Sequence, residues 1–427
     1  ASDVYKRQLI LSVNFVILSD RYLKFQVPVG WDTPVYIRFM EIVEREGFIS
    51  FTKSMGYTYL YTLFEFLAFK LFFGDYFITK KVLPVMLNTL IIVISAFITL
   101  KLFKNEEISL LSAFLTSTSA GLIRMTTDLH RNLMGYMFLL ICLWLTCEVL
   151  ERRNKCSFAL LSTFWTLLIL THIETAFIYL LAFAIFSIIL LKHGSEWELI
   201  LKITICFLTP ILVLFLFMYP NIVSFIVKHL LGVLVLAYKI RPLVFFEAIL
   251  IFELVGGLNI PFVFWGLISC LKLYKEKKLK QSLLLFVFSS LTLILAPILF
   301  RLAYRSLILL PSGIISALGF SQIVMRIQKI KFSRFSKFLF NSRIFNLKVL
   351  VLAFIALNVL SACIFTRQWM IPFISDETLE DIKWLKNLNL NSEPIIVIYC
   401  TSDPYSVDRI ELYGNWISVA LSSHYIY

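Results

Sequence analysis

The stretch VLPVMLNTLIIVISAFITLKLF, Val82 to Phe103, carries a single charge, Lys101, near its end. A run of about 20 apolar residues is what a helix needs to cross the hydrocarbon core of a bilayer. Comparable runs recur along the 427-residue chain, separated by short charged loops. Each can cross as a helix, because a helix satisfies its own backbone groups where no water is available. Composition agrees. Apolar residues make up 59% of the chain and charged residues 16%, with mean hydropathy +0.85, against about 25% charged in a soluble domain. The expected fold is an all-α polytopic membrane protein with about 11–13 transmembrane helices.

The formal charge of +13 is a topology signal and does not mark a nucleic-acid partner, because the basic residues cluster in a few loops between apolar runs. Three such loops, Glu151–Lys155, Lys272–Lys280 and Arg326–Lys348, are rich in Lys and Arg and are expected on the cytoplasmic side. The spans between them then alternate. Working back from Glu151 makes 82–103 run inward and 108–123 outward, so residues 20–81 begin and end outside. Tyr57 to Phe73 resembles a short span, yet parity forbids one crossing there. With Glu65 and Lys70 inside it, this segment is expected to be an interfacial or partly re-entrant helix.

The expected organisation has four parts. Residues 1–8, ASDVYKRQ, read as a non-native scar, and 9–366 as a transmembrane domain. Within that domain, 20–81 form a long first extracytoplasmic loop of interfacial helices. Residues 367–427 read as a small extracytoplasmic α/β segment, incomplete at its end. Residues 221–255 read either as a hairpin of two spans or as a pair of surface helices. Seven cysteines show no CxxC or zinc-type spacing, so they read as small apolar fillers.

This topology sorts the polar groups by side. Asp32 stands in Trp-Asp-Thr-Pro, where Pro34 suits the start of the helix that follows. The residue suits either a helix cap or a general base that takes a proton from an acceptor hydroxyl. The stretch RMTTDLHRN places Arg124, Asp128, His130 and Arg131 between two spans. It reads either as a solvated boundary cluster or as substrate-binding groups. His172 and Glu174 lie in a tight outward turn and suit the polar lining of a sugar site. Two donors fall short of the three or four a metal needs. Arg301 and Arg305 are one helical turn apart. They suit a phosphate or pyrophosphate gripped by forked donors, or lipid headgroups reached by snorkelling.

Taken in order, WDTPVY, FFGDYFITKKVLPVMLNTL, TTDLHRNLMGY and AYRSLILLP resemble the GT-C class of membrane glycosyltransferases, such as protein mannosyltransferases, aminoarabinose transferases and oligosaccharyltransferase subunits. The resemblance covers residues 9–366. It implies a sugar donor on polyprenyl or dolichyl phosphate, used at the outer face of a multi-pass protein, with a glycan, lipid or protein acceptor and membrane lipid as the other partners. A prokaryotic plasma membrane is the expected location. On this resemblance Asp32 matches the first-loop acid, as base or metal ligand, Asp128 the second-loop acid, and Arg305 the residue that holds donor phosphate. The first loop lacks the paired acids of some members, so no cofactor is fixed and a divalent metal stays an open alternative. Two rival functions remain: a transporter or flippase of lipid-linked sugars, and a polysaccharide polymerase or ligase.

Overall fold

The computed structural model describes residues 33–55, 60–127, 129–192, 197–218, 256–277, 279–298, 307–329 and 347–369, with 14, 17–18, 24–25 and 29–30. Residues 1–8, the 221–255 segment and everything beyond 369, with the expectations for them, lie outside the described residues. Fourteen α-helices and no strand occur among the described residues. They are α1 (Thr33–Glu46), α2 (Phe48–Met55), α3 (Leu60–Leu71), α4 (Tyr76–Phe103), α5 (Glu106–Ser117), α6 (Ala120–Thr127) and α7 (His130–Arg152). There follow α8 (Lys155–Thr171), α9 (Ile173–Lys192), α10 (Trp197–Met218), α11 (Ile260–Lys277), α12 (Lys280–Ile298), α13 (Ser312–Lys329) and α14 (Leu347–Trp369).

Four helices among the described residues are long and apolar enough to cross a membrane: Tyr76–Phe103, His130–Arg152, Ile173–Lys192 and Gly257–Glu276. A fifth crossing arises if α5 and α6, bent by 48° at a short break, are one broken span. Shorter apolar helices occupy Lys155–Thr171, Lys280–Leu295 and Val351–Arg367. The boundary near Leu307 differs from the sequence expectation. The apolar run from Leu307 does not continue as one helix, because α13 starts only at Ser312, after a turn at Leu309–Leu310 and Pro311. The proline lacks the N–H that a continuous helix needs.

The helix pairs α4–α5 and α7–α8 are hairpins built by one local device. Lys104 (φ 50°) closes α4 in the left-handed region, and Asn105 then caps α5, its Oδ1 accepting from Ile108 N at 3.0 Å. Arg153 (φ 53°) and Asn154 repeat the device between α7 and α8, with Ser157 N at 2.7 Å. A cation also suits the negative end of each helix dipole. At this end Lys101 meets Glu148 at 2.7 Å and Glu151 at 2.5 Å, and Arg152 meets Glu148 at 2.7 Å. That network ties the C-termini of α4 and α7 together, so the two helices run parallel and α5–α6 returns between them.

Helix α3 is turned inside out relative to a helix in a soluble protein. Its buried residues are Tyr61, Thr62, Glu65, Ala68 and Phe69, while Phe64, Leu67 and Leu71 are 41%, 51% and 76% exposed. With 12 residues it is about 18 Å long, too short to cross. A polar inner face and an apolar outer one suit a helix that lies against lipid without spanning.

Helices α11 and α13 approach through glycine. A Cβ at Gly266 would collide with the Ile315 carbonyl oxygen, and one at Gly319 would meet the Phe262 carbonyl oxygen and, at 2.7 Å, the Gly266 nitrogen. Small residues are how helices approach closely in lipid, where apolar burial drives nothing between them. Gly266→Ala is expected to lower the thermal midpoint of the detergent-solubilised protein, in line with an overpacking cost of about 1–3 kcal/mol. A midpoint equal to the parent's would show that the two backbones can separate at no cost.

Candidate functional site

Helix α1 begins one residue after Asp32. Thr33 is buried and its hydroxyl donates to the Val29 carbonyl at 2.8 Å, which fixes the chain's entry into the helix. Tyr36, Ile37, Met40 and Val43 form the buried face, at the spacing of an amphipathic helix. Tyr36 carries the contacts that matter here. Its ring lies edge-on to Tyr61 (5.3 Å between centroids) and stacks on the imidazole of His130 (5.6 Å, 24°).

Beneath these rings sits a buried ion pair. Lys80, in the second turn of α4, binds Glu65 of α3, and both side chains are fully buried. The Tyr61 hydroxyl donates to the same carboxylate oxygen at 2.8 Å. Burial pushes the Glu65 carboxyl up from the ordinary carboxylate range, while the Lys80 ammonium and the two hydrogen bonds pull it down. The ammonium lies 4.3 Å from the centroid of the Tyr36 ring and 5.6 Å from that of Tyr61, within cation–π range. Nearby, Asn88 of α4 donates to the Thr126 hydroxyl at 2.7 Å and His130 Nε2 lies 3.0 Å from the Thr126 carbonyl. His130 Nδ1 is buried with no partner among the described residues.

The head of α7 joins the remaining pieces. His172, buried at the junction of α8 and α9, packs against Gly135, where an added Cβ would lie 2.7 Å from the histidine Cβ. Thr175 holds the ring, with its hydroxyl 2.8 Å and its amide 3.2 Å from His172 Nδ1. Glu174 Oε2 stands 4.0 Å from His172 Nε2. Arg131, partly buried, is four residues before Gly135 and so on the same face of α7, one turn above the His172 contact. Next to Gly135, the Tyr136 hydroxyl reaches the Leu310 carbonyl at 3.5 Å, the long limit of a hydrogen bond.

Of the residues singled out in the sequence, His130, Arg131, His172 and Glu174 are therefore gathered around the first turns of α7. Asp32, Asp128, Arg301 and Arg305 lie outside the described residues. Their described neighbours do meet: Tyr36, four residues after Asp32, stacks on His130, two residues after Asp128, and Leu310, five residues after Arg305, meets Tyr136. Tyr36, Tyr61, Lys80 and Asn88 escaped the sequence reading. A lone Glu65 in an apolar segment was the available signal, since such an ion demands a partner. No group of three His, Cys, Asp or Glu side chains that could hold a metal ion occurs among the described residues, and His130 Nδ1 alone does not make a ligand set.

Comparison with protein-family models and with curated proteins finds no match. Solved structures share the fold. The crystal structure of the Archaeoglobus fulgidus oligosaccharyltransferase in the apo form matches with TM-score 0.63 and 12% identity, over 98% of this chain and 64% of that one. The archaeal oligosaccharyltransferase AglB from Archaeoglobus fulgidus, in complex with an inhibitory peptide and a dolichol-phosphate, gives 0.59 and 11% over 99% and 64%. The Archaeoglobus fulgidus enzyme tethered with an acceptor peptide containing the NVT sequon gives 0.59 and 13% over 99% and 63%. The chain thus spans less than two thirds of the length of the structures it matches. At such identities the likeness is one of fold alone, the fold of these oligosaccharyltransferase structures.

Proposed function

We propose that this chain is the transmembrane part of a glycosyltransferase that moves a sugar from a polyprenyl- or dolichyl-phosphate carrier to an acceptor at the extracytoplasmic face. One observation carries the reading: the segments bearing Asp32, His172 and the Arg301–Arg305 pair all have described neighbours packed on the first turns of α7, the helix that Asp128 precedes. Four distant parts of the chain meet at one end of the bundle. At the other end lies the loop with Arg152, Arg153 and Lys155, a basic cluster that the positive-inside rule assigns to the cytoplasm.

The chemistry follows from the residue types. The Asp32 carboxylate takes the proton of the acceptor nucleophile as that atom bonds to the anomeric carbon. The bond from that carbon to the phosphate oxygen breaks on the opposite face, with inversion. The departing lipid phosphate carries the electron pair, and Arg301 and Arg305 counter its charge. Asp128, His130, Arg131, His172 and Glu174 line the sugar and acceptor. The apolar outer face of α3 suits contact with lipid, where a carrier lipid resides.

A carrier of lipid-linked sugars would use a broken helix as its binding site, and α5–α6 is broken. At that break, however, the Phe114 carbonyl accepts from Ser117 and Thr118, and the Ser117 carbonyl from Asn14, so neither carbonyl is open to a ligand. The test is reconstitution. The purified chain in proteoliposomes is expected to transfer sugar from a lipid-phosphate donor to an added acceptor with no nucleotide sugar present. Transfer that occurs only from nucleotide sugars, or transbilayer movement of the donor with no new glycosidic bond, defeats the proposal.

A further inference from the structure

The Glu65–Lys80 pair has no place in the chemistry above, yet it is fully buried and lies under the rings of Tyr36 and Tyr61. Taking two ions out of water is costly, and an apolar pair of similar volume is often as stable or more so. Mere stability is therefore a weak reason for its presence. Its geometry offers another. Lys80 projects from a spanning helix and is fixed by Glu65, which the Tyr61 hydroxyl holds in turn. The resulting fixed cation lies under the face of Tyr36. On α1, Tyr36 stands one turn after Asp32, and its ring stacks on His130, two residues after Asp128.

We propose that Glu65 and Lys80 are positioning residues: the buried cation holds the Tyr36 ring, and through it the first turn of α1 and His130, in the register that presents Asp32 to the acceptor. This inference rests on the reading of Asp32 as base. The alternative, a clamp that only joins α3 to α4, leaves Tyr36 unmoved when the pair is replaced by apolar side chains.

The experiment uses the full chain in proteoliposomes with the lipid-phosphate donor. The double variant Glu65→Leu/Lys80→Met keeps the packing volume and removes both charges. Amide exchange over 33–40 is expected to accelerate about tenfold, while exchange over Ile173–Lys192 stays as in the parent. The turnover rate is expected to fall about 100-fold, the cost of a misplaced group, with the KM for donor little changed. Tyr36→Leu, which leaves the ion pair intact, is expected to give the same pattern and serves if the double variant does not fold. A folded variant of either kind with parental exchange over 33–40, or with parental turnover, overturns the proposal. Asp32→Asn separates the two readings: if it transfers sugar normally the base assignment fails, while the exchange result still reports whether the pair holds α1.

Discussion

Asp32→Asn is expected to lower the turnover of sugar transfer by about 10²–10⁴-fold, the usual contribution of a positioned general base, and to leave the amount of folded protein in the membrane nearly unchanged. Asparagine is the right replacement because the two roles of this position part there. Asn caps a helix about as well as Asp, so the start of α1 is preserved, whereas the amide cannot accept the acceptor's proton. If Asp32 acts only as a cap, the asparagine variant transfers at the parental rate and alanine is the damaging change, through stability. The measurement is initial rate per folded molecule, with folded protein counted by size exclusion. A parental rate in the Asn variant removes Asp32 from the chemistry.

Gly135→Val is the second large effect, expected to lower turnover about 100-fold by displacing His172. No space exists for a side chain there, since even a Cβ would lie 2.7 Å from His172 Cβ and 3.4 Å from its Cγ. His172 cannot yield by rotation alone, because the clash is with its own Cβ and its ring is held by Thr175. The α8–α9 junction must therefore move off α7, taking Glu174 with it. Misplacing a group by about 1 Å costs on the order of 100-fold in rate, and overpacking adds about 1–3 kcal/mol of destabilisation. A parallel variant, Thr175→Val, loosens the ring without pushing the backbone and is expected to give the smaller loss. Equal activity of Gly135→Val and the parent would mean that the junction at His172 plays no part in transfer.

How much of this was legible beforehand depends on the range over which each feature is decided. The run from Val82 to Phe103 announces a span because length and hydropathy are local, and the helix found there, Tyr76–Phe103, merely starts earlier, where Asp75 accepts from Ile78 N at 2.7 Å. At Tyr57 to Phe73 the sequence argued against a crossing from parity and two charges, and the helix described there, α3, has 12 residues. The break between α5 and α6 was not legible. Its causes are the polar run from Ser117 to Ser119 and a long-range hydrogen bond from Asn14, and hydropathy averaged over a span hides both. In the site, His130, Arg131, His172 and Glu174 stood out because ionisable groups in an apolar chain are few. Lys80 did not, hidden as one of two lysines before a span, where snorkelling is the ordinary expectation. Only the fold shows that Lys81 reaches the Phe25 carbonyl at 2.7 Å while its neighbour is buried against Glu65. Tyr36 is legible to neither rule, since an aromatic on an amphipathic helix reads as core until its neighbours are known.

The two ion-paired lysines of α4 have one more consequence. Lys80 and Lys101 are anchored to different partners and 21 residues apart, which along a helix is roughly 31 Å, close to the thickness of an average bilayer's oily layer at about 30 Å. Neither head can slide along the helix without abandoning its carboxylate. This segment is therefore a gauge rather than a sliding plug: in a membrane several ångströms thinner it would have to tilt or draw the lipid up around it, so bilayer thickness would set the angle of α4.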